Sequence, residues 1–145
     1  MLEVNLGTIV NSKDALIALS NAKRVVKRFD TESKKEVEDF VPLDMGRAYR
    51  VSKLLSKCDS ELKEYDKVRQ EKVSQYGTDV EREISGQKQT VKEVLPENFP
   101  LFIKEHNELI SQMVKIDMEP LKIDDYKDVN LDGSHMMMLM WAFQE

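Results

Sequence analysis

The residues whose types and spacing come closest to a known chemistry are Asp128, Asn130 and Asp132, followed by Gly133. Oxygen-bearing side chains at alternate positions ahead of a glycine form the first half of a calcium loop. The second half fails. The twelfth position, where a bidentate carboxylate closes the shell, is Leu139, and the eighth, normally apolar, is His135. The spacing therefore predicts an Asp-Gly turn with Ser134 capping the next helix, and no metal site. His106 falls on the apolar face of a predicted helix, the place of a core histidine rather than a ligand or base. His135 has no cysteine or second histidine beside it, so zinc spacing is absent. Cys58 sits in a helix seam, where a small apolar residue is wanted. A nucleophilic thiolate would need a base and an electropositive setting, and nothing near it in the sequence supplies either.

Two basic clusters come next. Lys23, Arg24, Lys27 and Arg28 would share one side of a helix, and so would Arg47, Arg50, Lys53 and Lys57. Either could hold phosphates or an acidic partner, but the plainer expectation is a solvated face. No glycine-rich loop cradles a phosphate, since the five glycines are dispersed. Asp117, Glu119, Asp124 and Asp125 offer carboxylates without marking a catalytic pair. Neither a cofactor nor an enzyme activity is expected.

These residues must be positioned by a chain of 145 residues, expected to form one domain over 1–145. Hydrophobic residues make up 41%, enough for a core without staples, and a single cysteine allows no internal disulfide, which suits a reducing compartment. The opening MLEVNLGTIVNSKD lacks the basic-then-apolar pattern of a secretory leader, and no apolar run is long enough to span a membrane. Net charge is −5 but uneven. Residues 1–57 hold 11 basic and 8 acidic residues, and residues 58–145 hold 11 and 19. The acidic half argues against nucleic acid, which needs a broad basic face. The asymmetry could help two copies, or a copy and a partner, to meet.

Periodicity then places the elements. Leu2, Val4 and Leu6 alternate with polar residues, as a half-buried strand does. Ser12 can cap a helix running to about Lys23, with Leu16 and Leu19 in its stripe. Residues 24–43 stay open between more helix and a hairpin, with TESKKE as turn and VEDFV as return strand. Ala48, Val51, Leu55, Cys58, Leu62 and Tyr65 are spaced 3, 4, 3, 4, 3, the seam of a helix packed lengthwise on another. Such a helix over 44–76 would be roughly 50 Å long, so part of it must project or pack on another chain. Gly77 would end it in a left-handed conformation. Residues 78–95 read as a loop with at most a short strand. Asn98 and Pro100 open a second clear helix bearing Phe102, His106 and Leu109. Residues 114–119 alternate as a strand that could pair with 2–6. Ser134 opens HMMMLMWAF, apolar on nearly every face and expected to be helical.

The stretches LEVNLGTIVNSKDAL, GRAYRVSKLLSKCDSELKEYDKVRQEKVSQYG and FPLFIKEHNELISQMVKIDMEPLKI bear a further likeness. The residues that carry it are Ala48, Tyr49, Leu54, Glu61, Tyr65, Arg69, Tyr76, Gly77, Phe102, Glu105, Glu108 and Leu109. In these, about two thirds of the chain resembles small uncharacterised helical proteins encoded by bacteriophages and prophages. They share an N-terminal strand, a long charged helix ending in Tyr-Gly, a second helix and a Val/Ile-rich strand. Residues 24–43 and the methionine-rich tail depart from that pattern. The resemblance implies a phage setting, in the bacterial cytoplasm or on a virion, and no catalytic residues.

The expected fold is α+β and predominantly helical, with the long helix packed on further helices and a small sheet from the N-terminal strand and residues 114–119. The expected function is that of a noncatalytic phage-type accessory protein acting through protein–protein contacts as an oligomer. Its partner would be a second copy or another protein, rather than nucleic acid or membrane. The alternative is a counter-defence inhibitor or sponge that holds a host protein or a nucleotide. The candidate interface residues are Met137, Met140, Trp141 and Phe143 in the tail, with Leu55, Leu62 and Tyr65 on the long helix.

Overall fold

The structure is a computed structural model that describes residues 1–145. The first strand, β1 (Leu2–Asn5), is shorter than its alternation suggests. Asn5 ends it by capping the helix α1 (Leu6–Asn11), its Oδ1 accepting from Thr8 N and Thr8 Oγ1, both at 2.8 Å. α1 was not expected from the sequence. It sets Gly7 so close to Ile110 that a Cβ there would lie 3.1 Å from Ile110 O. Ser12 separates α1 from α2 (Lys13–Ser20), and its side chain makes no capping bond. It is buried instead, with Oγ donating to Thr8 O at 2.6 Å. α2 stops three residues short of the predicted end.

Residues 24–43, left open by the sequence, form the hairpin β2 (Arg24–Asp30) and β3 (Lys35–Val41). Asp30 organises its turn by accepting from Glu32 N and Ser33 Oγ. The long helix α3 (Met45–Tyr76) has its predicted bounds, with Asp44 capping Arg47 N. At 32 residues it is about 48 Å long. Its far end does not run free: the helix α4 (Phe99–Ile110) packs on it, and Lys72 pairs with Glu105 at 3.3 Å. The seam is one residue out of step in the middle. Val51, Leu54, Cys58 and Tyr65 are buried, whereas Leu55 and Leu62 are half-buried.

Gly77 follows α3 directly, but not in the left-handed conformation expected. Its φ is −93° and ψ 163°, so the chain leaves the helix straight into a strand. A glycine is required for a different reason: a Cβ would sit 2.3 Å from Val73 O. The supposed loop 78–95 is a second hairpin, β4 (Gly77–Ile84) and β5 (Gln87–Val94), turned by Ser85 and Gly86 at φ 53° and 78°. Both turn residues with positive φ make the twist that suits a two-residue hairpin loop.

After α4 comes β6 (Met113–Ile116), which pairs antiparallel with β1, Leu2 opposite Ile116 and Val4 opposite Val114. This is the small sheet expected from the sequence, with its second strand over 113–116 rather than 114–119. The chain then passes through β7 (Leu121–Lys122), a 3-10 turn at Ile123–Tyr126, α5 (Gly133–Met138), a second 3-10 turn at Met140–Ala142, and β8 (Phe143–Gln144), which runs parallel to β7. The tail is therefore not one helix, and its cap is Asp132 rather than Ser134. Helix makes up 49% and strand 30% of the chain, so the fold is mixed α and β and less dominated by helix than expected. One cluster of 16 buried residues unites β1, α1, α2, α3, β6 and the tail, which contributes Leu139, Ala142 and Phe143.

Candidate functional site

Of the depressions that border α3, two differ in kind. The first lies near its N-terminus and has a volume of about 360 Å³. It is lined by Asp44, Arg47, Arg50, Asp124, Asp125, Lys127 and Asp128, with no apolar residue. Arg47 bonds Asp44, Asp128 Oδ1 at 2.6 Å and the Asp125 carbonyl at 2.5 Å, and Arg50 Nη2 lies 3.7 Å from Asp125. The Arg47 guanidinium holds the carboxyls of Asp44 and Asp128 below the usual range. Four aspartates against three bases leave this pocket acidic, and its arginines are already engaged. It ties α3 to the 3-10 turn; it offers no free cation to a phosphate. The other basic cluster is split between two faces. Residues 24–28 are strand, so Arg24 and Arg28 face one way and Lys27 the other.

The calcium-like loop is explained by the same network. Asp128 belongs to Arg47. Asn130 Oδ1 accepts from Lys23 N at 2.8 Å. Asp132 caps α5, accepting from His135 N at 2.9 Å and Ser134 Oγ at 2.7 Å. Those bonds hold its carboxyl below the usual range. The three side chains thus serve three separate structural tasks. His135 Nδ1 lies 3.2 Å from Asp132 Oδ2. His106 lies between rings: it stacks on Phe102, and its Nε2 shares a hydrogen bond of 2.7 Å with the Tyr65 hydroxyl. Cys58 is buried, and its thiol is pushed up to about 12 by burial and then by the charge of Glu61. At neutral pH it is a thiol, not a nucleophile.

The second depression is apolar at its floor and runs between α2 and α3. Its volume is about 510 Å³. Leu16, Ile17, Leu55, Cys58 and Leu62 line it, with Lys13, Asp59, Lys63 and Asp66 at the rim. A neighbouring depression of about 410 Å³ shares Ser20 and Leu55 with it and continues to Pro42 and Leu43 at the root of the β2–β3 hairpin. Together they make one trough along α3 from Ala48 to Asp66, about 27 Å at 1.5 Å per residue. The rim carries Lys13, Lys23 and Lys63 against Asp59 and Asp66. Lys63 pairs with Asp59 at 2.9 Å, and Lys13 reaches Asp66 at 3.9 Å. Ile17 is 61% exposed at its edge.

The candidate interface residues are divided by this geometry. Leu55 and Leu62 lie in the trough. Tyr65 is buried, with Lys13 Nζ 5.9 Å from its ring centre. In the tail, Phe143 is buried against the Tyr126 ring, and Trp141 is half-buried with Nε1 donating to Ser12 Oγ at 3.1 Å. Met137 is 78% exposed, and Met138 and Met140 are also open to solvent. The structure therefore does not gather the seven residues into one patch. Sequence reasoning missed Ile17, although an isoleucine beside the Leu16–Leu19 stripe widens the apolar face of α2. No known protein family, curated protein or solved structure matches this chain.

Proposed function

We propose that this chain is a noncatalytic accessory protein of the phage type that works by protein contact, as an oligomer of itself. The observation that carries the reading is the trough: exposed Ile17 beside half-buried Leu55 and Leu62, along one face of α2 and α3. An apolar depression of this length suits another chain better than it suits water. Its rim holds three lysines and two aspartates, so a second copy meets it without net repulsion despite the overall charge of −5. The noncatalytic part is supported by what the reactive residues are already doing. Cys58 is a buried thiol, His106 is bound to Tyr65, and His135 is held by Asp132. The alternative of a nucleotide sponge loses its best support, because Arg47 and Arg50 are taken by aspartates. The phage setting rests on the resemblance in sequence. No helix is long and apolar enough to cross a membrane.

Association that stabilises only the folded chain makes the melting temperature depend on concentration. The expected result is a midpoint that climbs steadily as protein concentration is raised a hundredfold. A midpoint that stays fixed while unfolding remains reversible would count against self-association.

A further inference from the structure

The β2–β3 ribbon is a second apolar surface without cover. Its register sets Val25 opposite Phe40, Lys27 opposite Glu38 and Phe29 opposite Glu36, so Val25, Phe29 and Phe40 share one face with a charged pair between the two phenylalanines. Phe29 is 64% and Phe40 57% exposed. The ribbon is fixed at its base, where Val25 N donates to Asp128 O at 2.7 Å and Asn130 N to Lys23 O at 3.0 Å. None of its residues 24–41 lines the trough of its own chain. We infer that the two surfaces cover each other between copies: the β2–β3 arm of one chain lies in the α2–α3 trough of the second, reciprocally about a two-fold axis. The inference rests on the reading that the chain works as an oligomer of itself.

Three observations favour a second copy as occupant. The trough begins at the arm's root, at Pro42 and Leu43, so a two-fold axis near that root lets both arms reach across together. The charges are close to balanced on both sides. Residues 24–41 hold five basic and five acidic residues, and the trough is lined by three lysines and two aspartates. A like-charged contact is therefore not forced, although the chain as a whole is acidic. The area is also sufficient. A phenylalanine more than half exposed brings about 100 Å² to an interface, taking 150–250 Å² as a full aromatic burial. Two per arm, two arms and the trough surface they cover amount to about 800 Å². The flanking Val25 and Ile17 with the charged rims then bring the total into the range of about 1,200 Å² at which specific dimers begin.

The test uses the full chain and two variants whose altered side chains are all more than half exposed, so that folding is retained and is checked by circular dichroism. The arm variant is Phe29→Ser with Phe40→Ser, and the trough variant is Ile17→Asp. Light scattering after size exclusion should give twice 16.8 kDa for the wild type and 16.8 kDa for each variant alone at the same concentration. That corresponds to weakening by roughly 100-fold or more. Mixing the two variants should bring dimer back, because the intact arm of one meets the intact trough of the other. An arm variant that stays dimeric while the trough variant does not would overturn the inference, showing trough packed on trough and leaving self-association standing. A mixture that stays monomeric overturns it as well. A monomeric wild type would remove self-association itself.

Discussion

The burial pattern of α3 separates two adjacent leucines, and Leu54→Ala against Leu55→Ala turns that separation into a measurement. Leu54 is fully buried in the central cluster, whereas Leu55 is half-buried and lines the trough. Truncating a fully buried leucine removes its transfer energy and leaves a cavity, a cost of about 2–5 kcal/mol. Leu55 already meets solvent on one side, so its truncation loses less area and leaves an open notch rather than a void; about 1–2 kcal/mol is expected. At roughly 2–4 °C per kcal/mol for a chain near this size, Leu54→Ala should melt about 5–15 °C lower than wild type and Leu55→Ala only a few degrees lower. Lys63→Ala, an exposed change on the same helix, should cost under about 0.5 kcal/mol. The assay is urea unfolding at low protein concentration, where any contact between copies contributes little. A cost for Leu55→Ala equal to that of Leu54→Ala, or above it, would refute the reasoning. It would mean that α3 is turned by about 100° and that the trough is core.

Gly77→Ala should destabilise by roughly 1–3 kcal/mol, since its Cβ would press on Val73 O 2.3 Å away; a neutral melting temperature would show that the helix–strand junction can relax. Calcium at millimolar concentration should leave the melting temperature unchanged, because Asp128, Asn130 and Asp132 are bound to Arg47, Lys23 N and the start of α5; a rise abolished by Asp128→Ala would reverse that assignment. The Asp128 carboxyl is held below its ordinary 3.8 by Arg47, so the pair's stability is fully present above that value and is lost as pH falls through the lowered one. Asp128→Asn should therefore flatten the acid limb of a stability–pH profile below about pH 4, and an unaltered limb would show the pair to be immaterial.

Much of the frame was legible because it rests on local pattern. The 3-4 spacing from Ala48 to Tyr65 located α3, Asp44 and Gly77 bounded it, and the alternations at 2–6 and 114–119 found the β1–β6 pair. The shift from Leu55 to Leu54 was not legible. With leucine at both positions, the period alone cannot choose, and the choice falls to how α1 and α2 pack. The hairpin at 77–94 was hidden for another reason. Its strands alternate charged residues, as in Asp79 opposite Lys92, rather than apolar and polar ones, because neither face is buried. The β2–β3 ribbon carries Val25, Val26 and Phe29 at spacings that also suit a helix. Its turn chemistry, with Asp30 accepting from Glu32 N and Ser33 Oγ, decided between them. In the tail, Ser134 was the visible cap, but the helix begins at Gly133, so Asp132 directly precedes it and Ser134 falls inside it. The trough could not be read at all, since it exists only where α2 from the first 20 residues meets the middle of α3.

Sedimentation equilibrium of the full chain, from about 1 to 100 μM, tests the proposal that it works through contact with its own copy. This concentration range spans micromolar dissociation constants, worth about 8 kcal/mol. The account predicts that the wild type moves from 16.8 kDa towards twice that mass, and that Ile17→Asp stays at 16.8 kDa with its melting temperature at low concentration unchanged. A wild type that remains at 16.8 kDa throughout, or an Ile17→Asp variant that dimerises as the wild type does, would contradict it.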